Sequence, residues 1–150
     1  MIQVLVRRRV RAVFDALSRG DDAVVLAGLD PHVHHRFAGH HPLGGERNTR
    51  EGVARWFERL HRLFPGLTFD VRRIAVSGWP WDLVAAVEWS AEVTPASGPS
   101  YVNEGAHVLR LRRFRVAELH AYEDSQAVAA ACRIMAEHGV TEATATPITG

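Results

Sequence analysis

The stretch YVNEGAHVLRLRRFRVAELHAYED, residues 101–124, decides the fold. Apolar and polar residues alternate along it, pause at Arg113-Phe114, and alternate again. Successive side chains on a strand point to opposite faces, so Tyr101, Asn103, His107, Leu109 and Leu111 share one face. Val108, Arg110 and Arg112 share the other. A face that is apolar at one end and carries His, Asn and Tyr at the other suits a pocket wall. A solvent-facing sheet has no use for it.

The same period of two begins upstream at Leu67. It predicts strands near 67–78, 83–94, 100–112 and 115–123, joined by GWPW, PASGP and RRF. In the second strand Ala85, Val87, Trp89, Ala91 and Val93 oppose Glu88, Ser90 and Glu92. In the last, Ala117, Leu119 and Ala121 oppose Glu118, His120 and Tyr122. Antiparallel sheets commonly pack one face and solvate the other, so the apolar rows are expected to face helices, with His107 and Asn103 turned the same way. The opposite face, rich in Arg and Glu, is then solvated or forms a dimer interface.

Before Leu67 the pattern is helical. Val6, Val10, Val13, Phe14 and Leu17 form a stripe that Gly20 stops, and Asp21 or Asp22 caps a second helix through Leu29, closed by Pro31. VHHRF (33–37) reads as a brief strand and GHHPLGGER (39–47) as a loop. Asn48 with Glu51 resembles a capping box opening a third helix, whose apolar face is Val53, Trp56, Phe57, Leu60 and Phe64. Val128, Cys132 and Met135 give a final helix its stripe. Residues 140–150 have nothing to pack against and are expected to be disordered. Helices followed by a meander define an α+β class, with residues 1–139 as a single domain.

A chain of 150 residues buries roughly 70% of its unfolded surface, enough for a core and a cavity. The formal charge is +1, so no global field favours nucleic acid or membrane, and neither is expected as a partner. All 18 basic residues are arginine, which excludes a lysine Schiff base. Cys132 is the only cysteine, which excludes an internal disulfide and a thiolate metal cluster. The opening MIQVLVRRRV lacks the form of a signal peptide, and the expected location is the cytoplasm.

The order of elements, the stretch PLGGERNTREGVARWFERL (42–60) and the ending HVLRLRRFRVAELHAYED (107–124) resemble the nuclear transport factor 2-like superfamily, especially its SnoaL-like and ketosteroid-isomerase-like branch. The resemblance covers roughly residues 5–138. It implies a cone-shaped, cystatin-like curved antiparallel sheet packed on the N-terminal helices, an apolar cavity open at one end, and a homodimer. Carried over by position, the isomerase-like general base falls at or beside His40, the oxyanion-binding acid at His107, and the first-helix Tyr near Val13. The SnoaL-like cyclase Asp falls at Ala121, while Asp124 beyond it suits a helix cap. The inward rows lack the Asp-Arg-Asp set of the epoxide hydrolases of this fold.

His107 and His40 are therefore the expected proton-transfer groups, with Asn103 or Tyr101 holding a carbonyl oxygen. Trp89, Trp56, Phe57, Phe37 and Phe14 are expected to line the pocket, together with Leu60, Leu109 and Leu119. Trp79 and Trp81, flanking Pro80, suggest a rim or a dimer contact. The expected function is binding of a compact apolar or aromatic molecule, with cofactor-free isomerase, cyclase or dehydratase chemistry. A non-catalytic ligand-binding or dimerisation module is the alternative. His32, His34, His35, His40 and His41 lie close enough for a metal-protein reading, but exposed loop histidines explain them more simply, and no metal is assigned.

Overall fold

The computed structural model describes all residues, Met1–Gly150. Helices α1 (Ile2–Ser18) and α2 (Asp22–Ala27) precede strands β1 (Leu29–Phe37) and β2 (Gly45–Arg47); α3 (Arg50–Leu63) follows. Strands β3 (Thr68–Trp79), β4 (Asp82–Val93), β5 (Tyr101–Arg112) and β6 (Arg115–Glu123) form the meander, and α4 (Ser125–Glu137) closes it. One sheet runs in the order β2-β1-β6-β5-β4-β3. It is curved and unclosed, and antiparallel except where β1 lies parallel to β6. No helix is long and apolar enough to cross a membrane.

The alternation places its faces as the sequence predicts. Leu83, Ala85, Val87, Trp89, Ala91 and Val93 of β4 are buried, as are Asn103, His107, Leu109 and Leu111 of β5. Val6, Val10, Phe14 and Leu17 of α1 and Val53, Trp56, Phe57 and Leu60 of α3 pack into the same core. The edge-to-face contact of Phe14 with Phe69, centroids 5.6 Å apart, seats α1 on β3.

Several boundaries differ from the sequence expectation. The second helix ends at Ala27, because buried Leu29 already belongs to β1. Pro31 falls inside that strand, where pairing with β6 slips between Leu29 and His34; a residue without an N–H is tolerated at such an irregularity. Thr49, not Asn48, caps α3: its side chain accepts from Gly52 N. Asp124 caps α4 as expected, accepting from Gln126 N and Ala127 N.

Residues 140–150 have partners that periodicity did not reveal. Thr141–Thr144 form a short 3₁₀ turn, and Glu142 pairs with Arg59 and Arg62 of α3. Beyond it, backbone carbonyls accept from arginines: Thr146 from Arg59, Ile148 from Arg47 and Thr149 from Arg55. These bonds come from polar side chains, which leave no apolar period to read.

Candidate functional site

A cavity of about 80 Å³ lies between the inner sheet face and helices α1 and α3. Trp89, Tyr101, Leu109 and Leu119 reach it from the sheet with Phe37, and Trp56, Phe57, Leu60 and Phe14 from the helices. All nine side chains expected at a pocket therefore meet there. His107, His35 and Glu123 interrupt the apolar lining, and exposed Arg9 of α1 also borders it.

His107 is 8% exposed, and its Nδ1 accepts a hydrogen bond from the Trp89 indole at 2.7 Å. An indole N–H only donates, so the neutral imidazole carries its proton on Nε2, which has no protein partner. Burial holds the group down at about 4, so it stays neutral. Phe14, edge-on with centroids 5.3 Å apart, completes the dry surroundings.

His35 repeats the device on β1. It is 1% exposed, and its Nδ1 accepts from Arg47 Nε at 3.0 Å. Burial, followed by the Arg47 charge, lowers its pKa well below the ordinary histidine value. Arg47 is itself fully buried with no carboxylate against it. Its remaining donors go to the carbonyls of Gly44, Gly45 and Ile148. Each histidine thus has Nδ1 occupied by a nitrogen donor, and Nε2–H is the group left to donate.

Glu123 continues the inward row of β6 without having been among the expected site residues. It lies two positions beyond Ala121 on the same face of β6, and His107 pairs directly with Ala121. Diagonal neighbours of this kind sit about 7–8 Å apart. Its Oε1 is buried without a hydrogen-bond partner. Oε2 has only a 3.4 Å contact with Asn103 Nδ2. Burial, reinforced by the adjacent Asp124 charge, pushes the carboxyl up to about 8. Gly105, its partner on β5, keeps the strands close: an added Cβ would lie 2.4 Å from the Tyr122 carbonyl oxygen.

Two expected catalytic groups lie elsewhere. His40 is exposed and lines an open groove beside Arg36 and Pro147, outside the cavity, so it does not meet His107. The glycine-rich loop carries it outward, while its neighbour His41 turns in and fixes the turn through Ala38 O and Leu43 N. Asn103 is buried but spent on structure. Its Oδ1 accepts from Glu104 N and Asp124 N, and its Nδ2 donates to Asp124 O and the Tyr101 hydroxyl. It ties β5 to the β6–α4 junction and holds the neighbours of Glu123.

The clustered histidines diverge. His34 joins His120 and Glu46 on the outer face at 2.8 and 3.2 Å, His35 points inward, and His32 and His40 are exposed. No group of three or more His, Cys, Asp or Glu side chains converges as a metal site would require.

A curved, unclosed sheet wrapped on helices around an apolar cavity defines the NTF2-like class of fold. Residues 10–119 match the family model of the SnoaL-like domain, and the chain belongs to that family. An NTF2-like protein of unknown function from Burkholderia pseudomallei is similar at 22% identity and TM-score 0.73, over 85% of this chain and 95% of that one. TerC, co-crystallised with polyporic acid, is similar at 19% identity and TM-score 0.67, over 80% and 92%. A putative SnoaL-like polyketide cyclase from Jannaschia sp. follows at 19% and 0.65, over 83% and 88%. At these identities the likeness concerns the fold. No curated protein matches the sequence.

Proposed function

We propose that this protein binds a compact, uncharged apolar or aromatic molecule in the central cavity and moves a proton on it without a cofactor. Isomerisation, cyclisation and dehydration are the reaction types concerned. The observation that carries the reading is Glu123: a buried carboxyl with an unpartnered oxygen at the wall of an apolar cavity. Evolution seldom leaves such a group orphaned for stability's sake, since an unpaired buried polar atom costs about 1–3 kcal/mol. A carboxyl held near 8 retains basicity at the pH where it works.

In this reading the Glu123 carboxylate removes a proton from carbon next to a carbonyl. The carbonyl oxygen, gaining negative charge, accepts from His107 Nε2–H, aided by His35 Nε2–H. Glu123 then returns the proton to a second carbon of the same molecule. The histidines act as neutral donors, since an imidazole facing an indole N–H has no free site at which to accept a proton. The free volume is about 80 Å³. It compares with roughly 150 Å³ for a protein cavity that takes benzene. Even a single aromatic ring therefore requires the helices to part, and a non-catalytic module of the same fold is the second reading.

A homodimer through the outer sheet face and a cytoplasmic location belong to the same proposal. Arg73 and Glu88, paired at 3.0 Å on that face, offer complementary charges to a second copy.

The test is a panel of cyclic ketones and phenols, screened for raised melting temperature and for solvent deuterium entering the bound ligand. Glu123→Gln should keep binding and abolish exchange. Exchange that survives the substitution overturns the enzyme reading. Binding without exchange in the unaltered protein establishes the non-catalytic one.

A further inference from the structure

The ends of two hairpins carry a feature that the cavity does not use. At the β3–β4 turn Trp79 and Trp81 are 68% and 63% exposed, stacked with centroids 5.7 Å apart and planes 11° from parallel. At the β5–β6 turn Phe114 is 45% exposed. Arg113 N donates to Trp81 O at 3.0 Å, so the two turns form one tip. Large aromatic rings are rarely left in water on a protein that keeps them to itself.

The charge around these rings is one-sided. Arg112, Arg113 and Arg115 are exposed, and none takes part in an ion pair. The nearby carboxylate, Asp82, is held by Arg110 through two bonds of 2.9 and 2.8 Å. The near-neutral total of the chain conceals this local excess.

The backbone supplies an independent sign. Arg113 and Phe114 both take positive φ, 49° and 64°. A two-residue turn of that kind is best served by Asn-Gly, and each L side chain there costs stability. Arg and Phe at these positions mark the tip as a candidate functional site, since strain of this kind collects at such sites.

We infer that this tip docks the protein peripherally on an anionic phospholipid surface. Tryptophan rings sit favourably at the level of lipid headgroups. Arginines beside them meet the negative surface potential, each worth about a fivefold gain in partitioning. None of the larger cavities reaches Trp79, Trp81 or Phe114. The indoles face each other, which leaves no gap between them for a nucleic-acid base.

Co-sedimentation with vesicles of phosphatidylcholine alone, and of phosphatidylcholine with phosphatidylserine, tests this with the whole chain. Binding is expected to the anionic vesicles only, weakening as salt rises. Replacing the three arginines by serine should lower partitioning about a hundredfold. The Trp79→Ala/Trp81→Ala double variant should abolish it while keeping the melting temperature, because both rings are exposed. In the unaltered protein, vesicles should shift tryptophan emission to the blue, a response the double variant loses. Absence of binding to anionic vesicles, or binding unaffected by the double variant, overturns the inference. So does a double variant that changes only the oligomeric state, which would assign the tip to a second copy of the chain.

Discussion

Replacing Glu123 by Gln should make the protein more stable, by an amount that grows with pH. Burial raises the carboxyl from its ordinary 4.5 to about 8, so between these values the folded chain holds a proton that the unfolded chain releases. Stability therefore falls as pH rises through that interval, by about 1.4 kcal/mol per pH unit. The accumulated loss is about 3 kcal/mol at pH 7 and about 5 kcal/mol above pH 8, and then it levels off. Gln has nearly the same shape and no proton to release, so the variant escapes this loss. Below pH 4.5 the two chains should differ by little, since each then buries a neutral side chain whose polar end lacks a partner. Urea unfolding of both proteins from pH 4 to 9 measures the difference. A gap that opens between pH 4.5 and 8 in favour of Gln supports the reasoning. Parallel curves would refute it, because they would mean that the carboxylate is solvated in the folded chain.

His107 should act in the opposite direction. Burial lowers it from 6.5 to about 4, so the unfolded chain takes up a proton first as pH falls, costing the fold about 3 kcal/mol by pH 4 and nothing above 6.5. Urea midpoints of a His107→Phe variant should lack that acid limb; a limb of equal size in the variant removes His107 as its source. At the strained tip, Arg113→Asn with Phe114→Gly relieves two left-handed L residues and should stabilise by about 2 kcal/mol, read as a raised melting temperature. The same variant should bind anionic vesicles more weakly, and an unchanged or lower melting temperature would contradict the strain argument.

What sequence reveals here follows from what makes a pattern. Burial on one face of a strand repeats every second residue, so the inner rows of β4 and β5 and the lining residues Trp89, Leu109 and Leu119 were legible from alternation alone. Helical spacing did the same for Phe14 and Trp56. His40 was misplaced because a glycine-rich loop has no period, and its direction depends on positive-φ Gly39 and on the inward turn of His41. Asn103 lay on the predicted face, but only the structure shows its polar atoms consumed by Glu104 and Asp124 backbone. Glu123 was readable: the row Leu119, Ala121 continues to it, and a charged residue ending an inward row was the available signal. Arg47 and the tail gave none, since they are joined by backbone carbonyls that every residue type possesses.

His35, His107 and Glu123 form a set within the cavity whose charge depends on one member. Arg47 and Trp89 occupy the Nδ1 atoms of His35 and His107, so neither imidazole gains a proton readily, and burial enforces the same state. Below about pH 8 Glu123 is neutral as well, so of the lining residues only exposed Arg9 carries a charge. The inner part of such a cavity favours molecules that enter neutral, since an ion would lose its hydration against a mainly apolar wall. Once Glu123 ionises, the single negative charge faces two N–H donors and a ligand from which it can take a proton. On the proposed reading, the form that would react is thus the form that destabilises the fold. A bound ligand that accepts from both histidines and gives its proton to Glu123 would relieve that cost, so ligand binding should stabilise the protein more strongly above pH 8 than below it. Melting temperatures measured with and without a ligand across that range would show the gap widening; a constant gap would separate Glu123 from the ligand.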